Sequence, residues 1–272
     1  MNYYHNNQRL NSMVFWYPTL KEISLSSFRP PIPVISLSKE KKQLEENIVD
    51  EYRPLIRVPK TDFVYVDSEK AMDIMDGKAD KDFLLDIHEK IDHIARNIGY
   101  PIFLRSESTS AKHYWKDSCF VERKEDIISH FLEVLEFTYT VADAHAFFFA
   151  VREMIPTTPL YTTFSGDMPI AKECRLFIKD GEVLCLHPYW PTEAFDNQRN
   201  ITSEGIAGLQ NFSEAEETEL KAQAKVIAEH FPGYWSVDFL QDKDGNWWAI
   251  DMALGGWSYH WKGCPTIESL YS

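Results

Sequence analysis

The sequence is short of the features that most quickly assign a chain to a class. It has no CxxC pair: its four cysteines stand apart at positions 119, 174, 185 and 264, so neither a zinc ribbon nor a thioredoxin motif is signalled. Reduced thiols in a cytoplasmic protein are the expectation. Positive charge is scarce, with 28 Lys and Arg against 42 Asp and Glu and a formal net charge of −14. That argues against a general nucleic-acid or anionic-membrane binder and leaves room for a local basic pocket. Long apolar runs are missing. The most apolar stretch, AHAFFFAV (144–151), is far too short to span a bilayer. The opening MNYYHNNQRL lacks the apolar core of a signal peptide. No internal repeat or low-complexity tract stands out. What the chain has in plenty is aromatic residues, 14% overall with eight Trp, too many for a disordered chain. Its 272 residues suffice for one large domain or two lobes.

Residues 1–58 mix aromatics with prolines, as in VFWYP and FRPPIPVISL, which predicts extended segments and turns rather than long helices. Within them KEKKQLEENI (39–48) reads as a short solvated helix. From residue 59 the pattern becomes regular. TDFVYVD reads as a strand. DFLLDIHEKIDHIARNIG has apolar residues at 83, 84, 87, 91, 94, 95 and 98, which is helical spacing with Gly99 as the stop. PIFLR and SCFV read as strands around a polar stretch, SESTSAKHYWKD, and EDIISHFLEVLEF as a helix. HAFFFAVREMI reads as a mostly buried strand, and two hairpins follow with SEAEETELKAQAKVIAEHF as a helix between them. The pattern predicts a two-lobed α/β or α+β architecture.

The second hairpin, VDFLQDKDGNWWAIDM (237–252), carries an aspartate on each strand. A two-residue Asp244-Gly245 loop is a type I′ signal. Residues whose numbers add to 489 then face each other, and 238 and 251 do. The two carboxylates are therefore expected as cross-strand partners, Cβ atoms about 4.5–5.5 Å apart, with Val237, Phe239, Trp248 and Ile250 on the opposite face. Like charges so placed destabilise a sheet. A shared proton, a neighbouring Lys or Arg, or a divalent cation such as Mg²⁺ would compensate, and an exposed, solvated face is the plain alternative. In the first hairpin, with Asp180-Gly181 at its tip, alternation puts Glu173, Arg175 and Phe177 on one face and Cys174, Cys185 and His187 on the other. The second trio lacks a fourth ligand for a soft metal, so a buried thiol pair beside a satisfied histidine is expected.

In order along the chain these pieces resemble the ATP-grasp superfamily. GYPIFLRSESTSAKHYW looks like its phosphate-contacting strand and flexible loop, VREMI like its hinge strand, KECRLFI like its acidic-x-arginine strand, and VDFLQDKDGNWWAIDMALGG like its metal-binding hairpin. The resemblance covers roughly residues 59–260. It is closer to compact phage and bacterial ATP-grasp proteins, and in outline to the cell-division-cycle 123 group, than to large carboxylases. It implies an α+β, two-lobed fold with nucleotide between the lobes: an N-terminal segment (1–58), an N-lobe (59–152) and a C-lobe (153–272).

The resemblance also implies roles. Asp238 and Asp251 match the residues that hold Mg²⁺ against ATP. Ala253 stands where many relatives have Asn, which implies one tightly held ion or another ligand, and Asp251 in place of Glu has a shorter reach. Arg105 would fork a phosphate, Lys112 would swing in as a point charge, and Ser110 and His113 would donate hydrogen bonds. Glu153 and Ile155 would offer backbone groups to the adenine edge, with Met154, and Phe149 unless it serves the core, near the ring. Arg175 would face the transferred phosphoryl group, with Glu173 orienting it or joining the metal shell. Ser258, His260 and Lys262 would line the acceptor pocket, His260 as a general base. The activity implied is an ATP- and Mg²⁺-dependent ligase joining a carboxylate, activated as an acyl phosphate, to an amine or similar nucleophile on a small molecule or peptide. Closure of residues 106–117 would keep water away. A kinase on the same scaffold, or a nucleotide-binding assembly factor with a protein partner, are the competing readings.

Overall fold

A computed structural model gives the architecture and describes residues 9–28, 55–78, 80–142, 147–163, 167–195 and 201–266. The first half holds α1 (Met13–Ser27), β1 (Thr61–Tyr65), α2 (Ser68–Met75), α3 (Lys81–Ile98), β2 (Ile102–Ser106), β3 (Phe120–Val121), α4 (Ile127–Ala142) and β4 (Phe148–Glu153). The second holds β5 (Tyr161–Thr163), β6 (Met168–Ile170), β7 (Glu173–Lys179), β8 (Glu182–Pro188), α5 (Ser203–Gln210), α6 (Glu214–Ala228), β9 (Tyr234–Gln241) and β10 (Trp247–Leu254). Two four-stranded antiparallel sheets result, in the orders β1-β4-β2-β3 and β10-β9-β7-β8, with β5 and β6 as a small ribbon. The fold is α+β, one of the two architectures the sequence pattern allows and the one the resemblance implies.

In α3 the residues Phe83, Ile87, Ile91 and Ala95 repeat every four positions and are buried, the stripe an amphipathic helix needs. Asp80 caps its start by accepting from the Phe83 amide at 2.9 Å, and Gly99, at φ +104°, ends it. With α4 it covers one face of the first sheet, where Ile102, Leu104, Phe149 and Val151 meet Phe131. Phe149 is fully buried there, its ring 4.8 Å from that of Phe131, so it belongs to the core and not to a ligand ring.

The second core lies on one face of the other sheet. Cys174, Leu176 and Ile178 of β7 and Val237 and Phe239 of β9 pack against Leu220, Ala224 and Ile227 of α6 and against α1. Helix α1 corrects the expectation of an extended N-terminal segment. Pro18 lies inside it and removes one amide donor, but Pro18 is exposed while Met13, Trp16 and Leu20 are fully buried. Tertiary burial of that stripe outweighs weak local propensity. The helix also ties the sheets together: Met13 N–H donates to the Glu107 carbonyl at 2.8 Å, the Tyr17 hydroxyl to that of Pro59 at 3.0 Å, and Leu254 N–H to Asn11 Oδ1 at 2.7 Å. The KEKKQLEENI stretch lies outside the described residues.

Both hairpins depart from simple alternation. The first turns on Asp180-Gly181, at φ +47° and +86°, the two-residue turn its sequence predicts. A bulge between Phe177 and Ile178 then places Cys185 opposite Phe177 and His187 opposite Arg175. Cys185 and His187 therefore share the face of Arg175, and only Cys174 of the expected trio faces the core. The second hairpin has a longer tip than the two-residue loop its sequence suggests. Trp247 pairs with Gln241, and Asp242 N–H donates to the Asn246 carbonyl at 2.9 Å. The Asp242 carboxylate braces the turn by accepting from the Asp244 and Asn246 amides at 2.9 and 2.8 Å. A bulge at Ile250 then shifts the register back, so that Asp251 does face Asp238. The apolar face is corrected accordingly: Trp247, Ala249 and Met252 enter the core with Val237 and Phe239, while Trp248 and Ile250 do not.

Because α1 fills the second core, Trp16→Ala is expected to cost about 3–5 kcal/mol of stability. Leu25→Ala, on the same helix but 62% exposed, should stay within about 0.5 kcal/mol. Urea denaturation of both variants checks this, and equal midpoints would contradict the packing of α1.

Candidate functional site

One row of polar side chains crosses the second sheet on the face opposite its core. Register pairs Asp251 with Asp238, Asp238 with Arg175, and Arg175 with His187. Two carboxylates abreast need compensation, and in this structure arginine supplies it. Arg175 donates from Nε and Nη2 to the two oxygens of Asp238 at 2.7 and 2.8 Å, a bidentate fork. Arg105 reaches across from β2 of the first sheet and donates from Nη1 to Asp251 Oδ2 at 2.8 Å. Burial pushes the Asp251 carboxyl up, but Arg105, with Arg152 and Lys112 behind it, holds it below its ordinary value.

Two more cations converge here. Arg152, which sequence reasoning missed, sits on β4 next to the hinge and is buried. It donates from Nε to Thr61 Oγ1 at 3.2 Å and from Nη2 to the Ile250 carbonyl at 2.8 Å. Ile250 is the residue the β10 bulge leaves out of the ladder, so its carbonyl is available to the other lobe. Burial, then the like charge of Arg105, lowers Arg152 to about 10. The available signal for Arg152 is its parity: it lies two residues beyond Ala150, which pairs with Arg105. Lys112 stands on a single 3₁₀ turn, Lys112–Tyr114. Its ammonium donates to the Tyr189 hydroxyl at 2.9 Å and lies 4.4 Å from that ring's centroid. Burial opposes its charge, but the Tyr189 oxygen, Glu173 and Asp238 outweigh it and raise its pKa.

Glu173 faces Leu240 across the β7–β9 ladder and is buried. Burial pushes its carboxyl up to about 7, with Lys112 pulling the other way. Four cations therefore meet three carboxylates, one of them raised toward neutrality. Arg105 and Arg175 are spent on aspartates, whereas Lys112 and Arg152 bond neutral oxygens. Within a chain of net charge −14, this is a local surplus of positive charge.

Of these groups, Arg105, Lys112, Arg152, Glu173, Asp238 and Asp251 line a cleft that is partly open to solvent. The lining also includes apolar side chains, Phe103, Trp115, Met154, Ile155, Met168 and Leu240. Of the residues singled out from sequence, Arg105, Ser110, Lys112, Glu153, Met154, Ile155, Glu173, Asp238 and Asp251 all line it. Arg175 lies behind Asp238, its guanidinium 4.9 Å from the Tyr189 ring centroid. His113 is exposed and does not line the cleft. The Glu153 amide donates to the Lys60 carbonyl at 2.8 Å, but the Lys60 amide goes to the Glu153 carboxylate at 3.0 Å and not to its carbonyl. Ser258, His260 and Lys262 do not line the cleft either. Ser258 bonds Ser236 at 2.6 Å, and the His260 ring stacks on Phe177 at 4.0 Å.

The donor set of Glu173, Asp238 and Asp251 is all oxygen and suits a hard divalent cation. Two guanidinium groups now stand where such an ion would neutralise the aspartates. Lys112 and Arg152 suit an anion beside it.

A family model described as an ATP-grasp domain, clade family 3, matches residues 94–272. No curated protein matches the chain. Among solved structures, C-terminally truncated Cdc123 from Schizosaccharomyces pombe is similar in fold, with a TM-score of 0.55 and 11% identity over 92% of this chain and 85% of that one. A RimK domain ATP-grasp protein from Sphaerobacter thermophilus aligns at 15% identity and a TM-score of 0.38, over 79% of this chain and 57% of that one. D-alanine–D-alanine ligase from Bacillus anthracis, complexed with ATP, aligns at 12% identity and a TM-score of 0.39, over 74% of this chain and 48% of that one. The chain thus spans little more than half of the RimK domain protein and about half of the ligase. With the family model covering residues 94–272 of 272, the chain belongs to the ATP-grasp superfamily, in the clade family 3 that this model describes.

Proposed function

We propose that the protein is an ATP- and Mg²⁺-dependent ligase that activates a carboxylate as an acyl phosphate for attack by an amine or similar nucleophile. The observation that carries this reading is the pair of cations on neutral oxygens, half-buried Lys112 and buried Arg152, beside three convergent carboxylates in a cleft that also carries apolar side chains. A nucleoside triphosphate offers a match for both: a flat, weakly polar base and a polyanionic tail. The base lies between Met154, Ile155 and Leu240, its edge met by the Glu153 carbonyl and Ile155 backbone. Lys112, Arg105 and Arg152 meet the phosphates, with Ser110 as a hydrogen-bond donor. Asp238, Asp251 and Glu173 hold Mg²⁺, which neutralises phosphate charge; Glu173 is the third oxygen donor in a site where Ala253 offers none.

In the reaction a substrate carboxylate oxygen bonds to the γ-phosphorus as its bond to the bridging oxygen breaks, and ADP leaves with that electron pair. The nucleophile then adds to the acyl carbon, inorganic phosphate leaves, and the nucleophile's proton passes to solvent. Arg175, held by both oxygens of Asp238, is placed to stabilise the anionic intermediate. The segment bearing Lys112, docked on Tyr189, shields the acyl phosphate from water. The acceptor is a small molecule or peptide bearing a carboxylate or amine. Free thiols at all four cysteines accord with a cytoplasmic setting, and among the described residues no helix is long and apolar enough to cross a membrane. The fold shared with Cdc123 keeps a protein partner as a competing reading, in which nucleotide binds without an acceptor being consumed.

ADP release screened over amino acids, peptides and polyamines with Mg²⁺ tests the proposal. An acceptor should yield inorganic phosphate and an amide; a phosphorylated acceptor would replace the ligase by a kinase, and ADP release indifferent to every acceptor would favour the assembly-factor reading. Asp238→Asn is expected to lower turnover by about 100-fold or more, with the fold checked by circular dichroism. Undiminished turnover in that variant would remove Asp238 from the metal site. Lys112→Ala should raise the KM for ATP about tenfold, measured by initial rates, and an unchanged KM would take Lys112 off the phosphates.

A further inference from the structure

The bulge in the first hairpin assembles a second cluster that the cleft does not use. Cys185 and His187 stand two apart on one face of β8, beyond Arg175 in the same sheet. The segment after β10 brings His260 and Cys264 against them. The ligand atoms of these four side chains lie within 4.8 Å of one another. Cys185 Sγ is 3.3 Å from His260 Nε2, and His260 Nε2 is 3.0 Å from His187 Nε2. In a tetrahedral zinc centre with bonds of about 2.0–2.3 Å, neighbouring ligand atoms lie about 3.3–3.8 Å apart. The cluster is therefore near closure, with small side-chain rotations sufficient to complete it.

We propose that Cys185, His187, His260 and Cys264 bind a structural Zn²⁺ ion. Two thiols and two imidazoles are the donors zinc takes in closed sites, and four protein ligands leave no position for substrate. Binding releases the two thiol protons to solvent and leaves a neutral centre, so it adds no charge beside Arg175. The histidines are oriented for it. His260 Nδ1 faces the Tyr234 hydroxyl at 3.4 Å, which leaves Nε2 for the metal. Tyr234 in turn lies against Gly255, where a Cβ would sit 2.5 Å from its ring. His187 is flanked by Trp261, whose ring is nearly parallel at 6.1 Å. Gly263, at φ +79°, allows the turn that returns Cys264 to the cluster.

The ion pins the segment 257–264 onto β8, and that segment holds Arg175, whose Nη1 donates to the Tyr259 carbonyl at 3.3 Å. The site is thus a staple between the C-terminal segment and the edge strand of the sheet. It does not depend on the ligase reading, and its test reads metal, not turnover.

Full-length protein, expressed with zinc, purified without chelator and kept reduced, should carry about one zinc per chain by plasma mass spectrometry. Cys264→Ser and His260→Asn should each lose it, and Cys119→Ser should keep it. Cobalt(II) added to metal-free protein should give the visible spectrum of a tetrahedral centre with thiolate charge transfer. Where a variant fails to fold, wild-type protein decides: chelation should lower the thermal midpoint on the order of 5 °C or more, and Zn²⁺ but not Mg²⁺ should restore it. Absence of stoichiometric zinc and cobalt, retention of the metal by both variants, a midpoint indifferent to chelation, or a Cys185–Cys264 disulfide that persists under reductant would each overturn the proposal.

Discussion

Everything in the cleft depends on how two neighbouring aspartates are neutralised. Asp238 and Asp251 are fixed abreast by backbone pairing, so they cannot relax apart. Each is held by one guanidinium, Arg175 from the next strand and Arg105 from the other lobe. Removing Arg175 from the buried Asp238 would leave an uncompensated charge, at a cost of about 3–5 kcal/mol, whereas Asp251, with its side chain 35% exposed, depends less on Arg105 because water screens it. A ligand that displaced either arginine would have to replace its charge, and the proposed Mg²⁺–polyphosphate ligand would supply a cation for the aspartates and an anion for Arg105 together. The Arg105–Asp251 contact spans the two sheets. Arg152 adds a second tie between lobes, through the Ile250 carbonyl, and needs no carboxylate to do so.

The two hairpins show how far alternation carries a reading of side-chain placement. In the second, the expected partnership of Asp238 and Asp251 holds although the loop is longer than the Asp-Gly signal suggests. The longer loop shifts the register, and the bulge at Ile250 shifts it back. The stretch between these compensating irregularities is misassigned by simple parity, which is why Trp247 and Ala249 occupy the core positions expected of Trp248 and Ile250. In the first hairpin the turn is as expected and the bulge is not, so a single shift carries Cys185 and His187 to the opposite face. A one-residue slip inverts every side chain beyond it. Bulges arise from backbone choices that leave no trace in hydrophobic period, so a sequence with correct strands still hides which face a residue takes.

Elsewhere legibility follows the range of the forces involved. The α3 stripe, its Asp80 cap and its Gly99 stop are all local, and the stripe and the stop are readable in the sequence. Helix α1 is not, because its aromatic and proline-bearing sequence is a poor autonomous helix and its stability comes from Met13, Trp16 and Leu20 buried against strands far along the chain. The order of motifs is enough to collect most cleft residues, since a fold that brings β2, β4, β7, β9 and β10 to one cleft brings their side chains too. It misses Arg152, whose value lies in a neutral carbonyl on a distant bulge. It places His113 in the cleft, whereas the 3₁₀ turn that aims Lys112 inward leaves the next side chain exposed.

The same sheet row links the two clusters. From β10 to β8 it reads Asp251, Asp238, Arg175, His187, so the arginine that neutralises an aspartate is flanked on its other side by a histidine of the Cys/His group. Arg175 has three anchors: both oxygens of Asp238 on one side and the Tyr259 carbonyl, one residue before His260, on the other. If Asp238 turned toward a metal, the guanidinium would keep its anchor on the Tyr259 carbonyl. A zinc ion at the sheet edge, as proposed, would immobilise the 257–264 segment that anchors the arginine, and a hard cation at the sheet's centre would draw its carboxylate partner away.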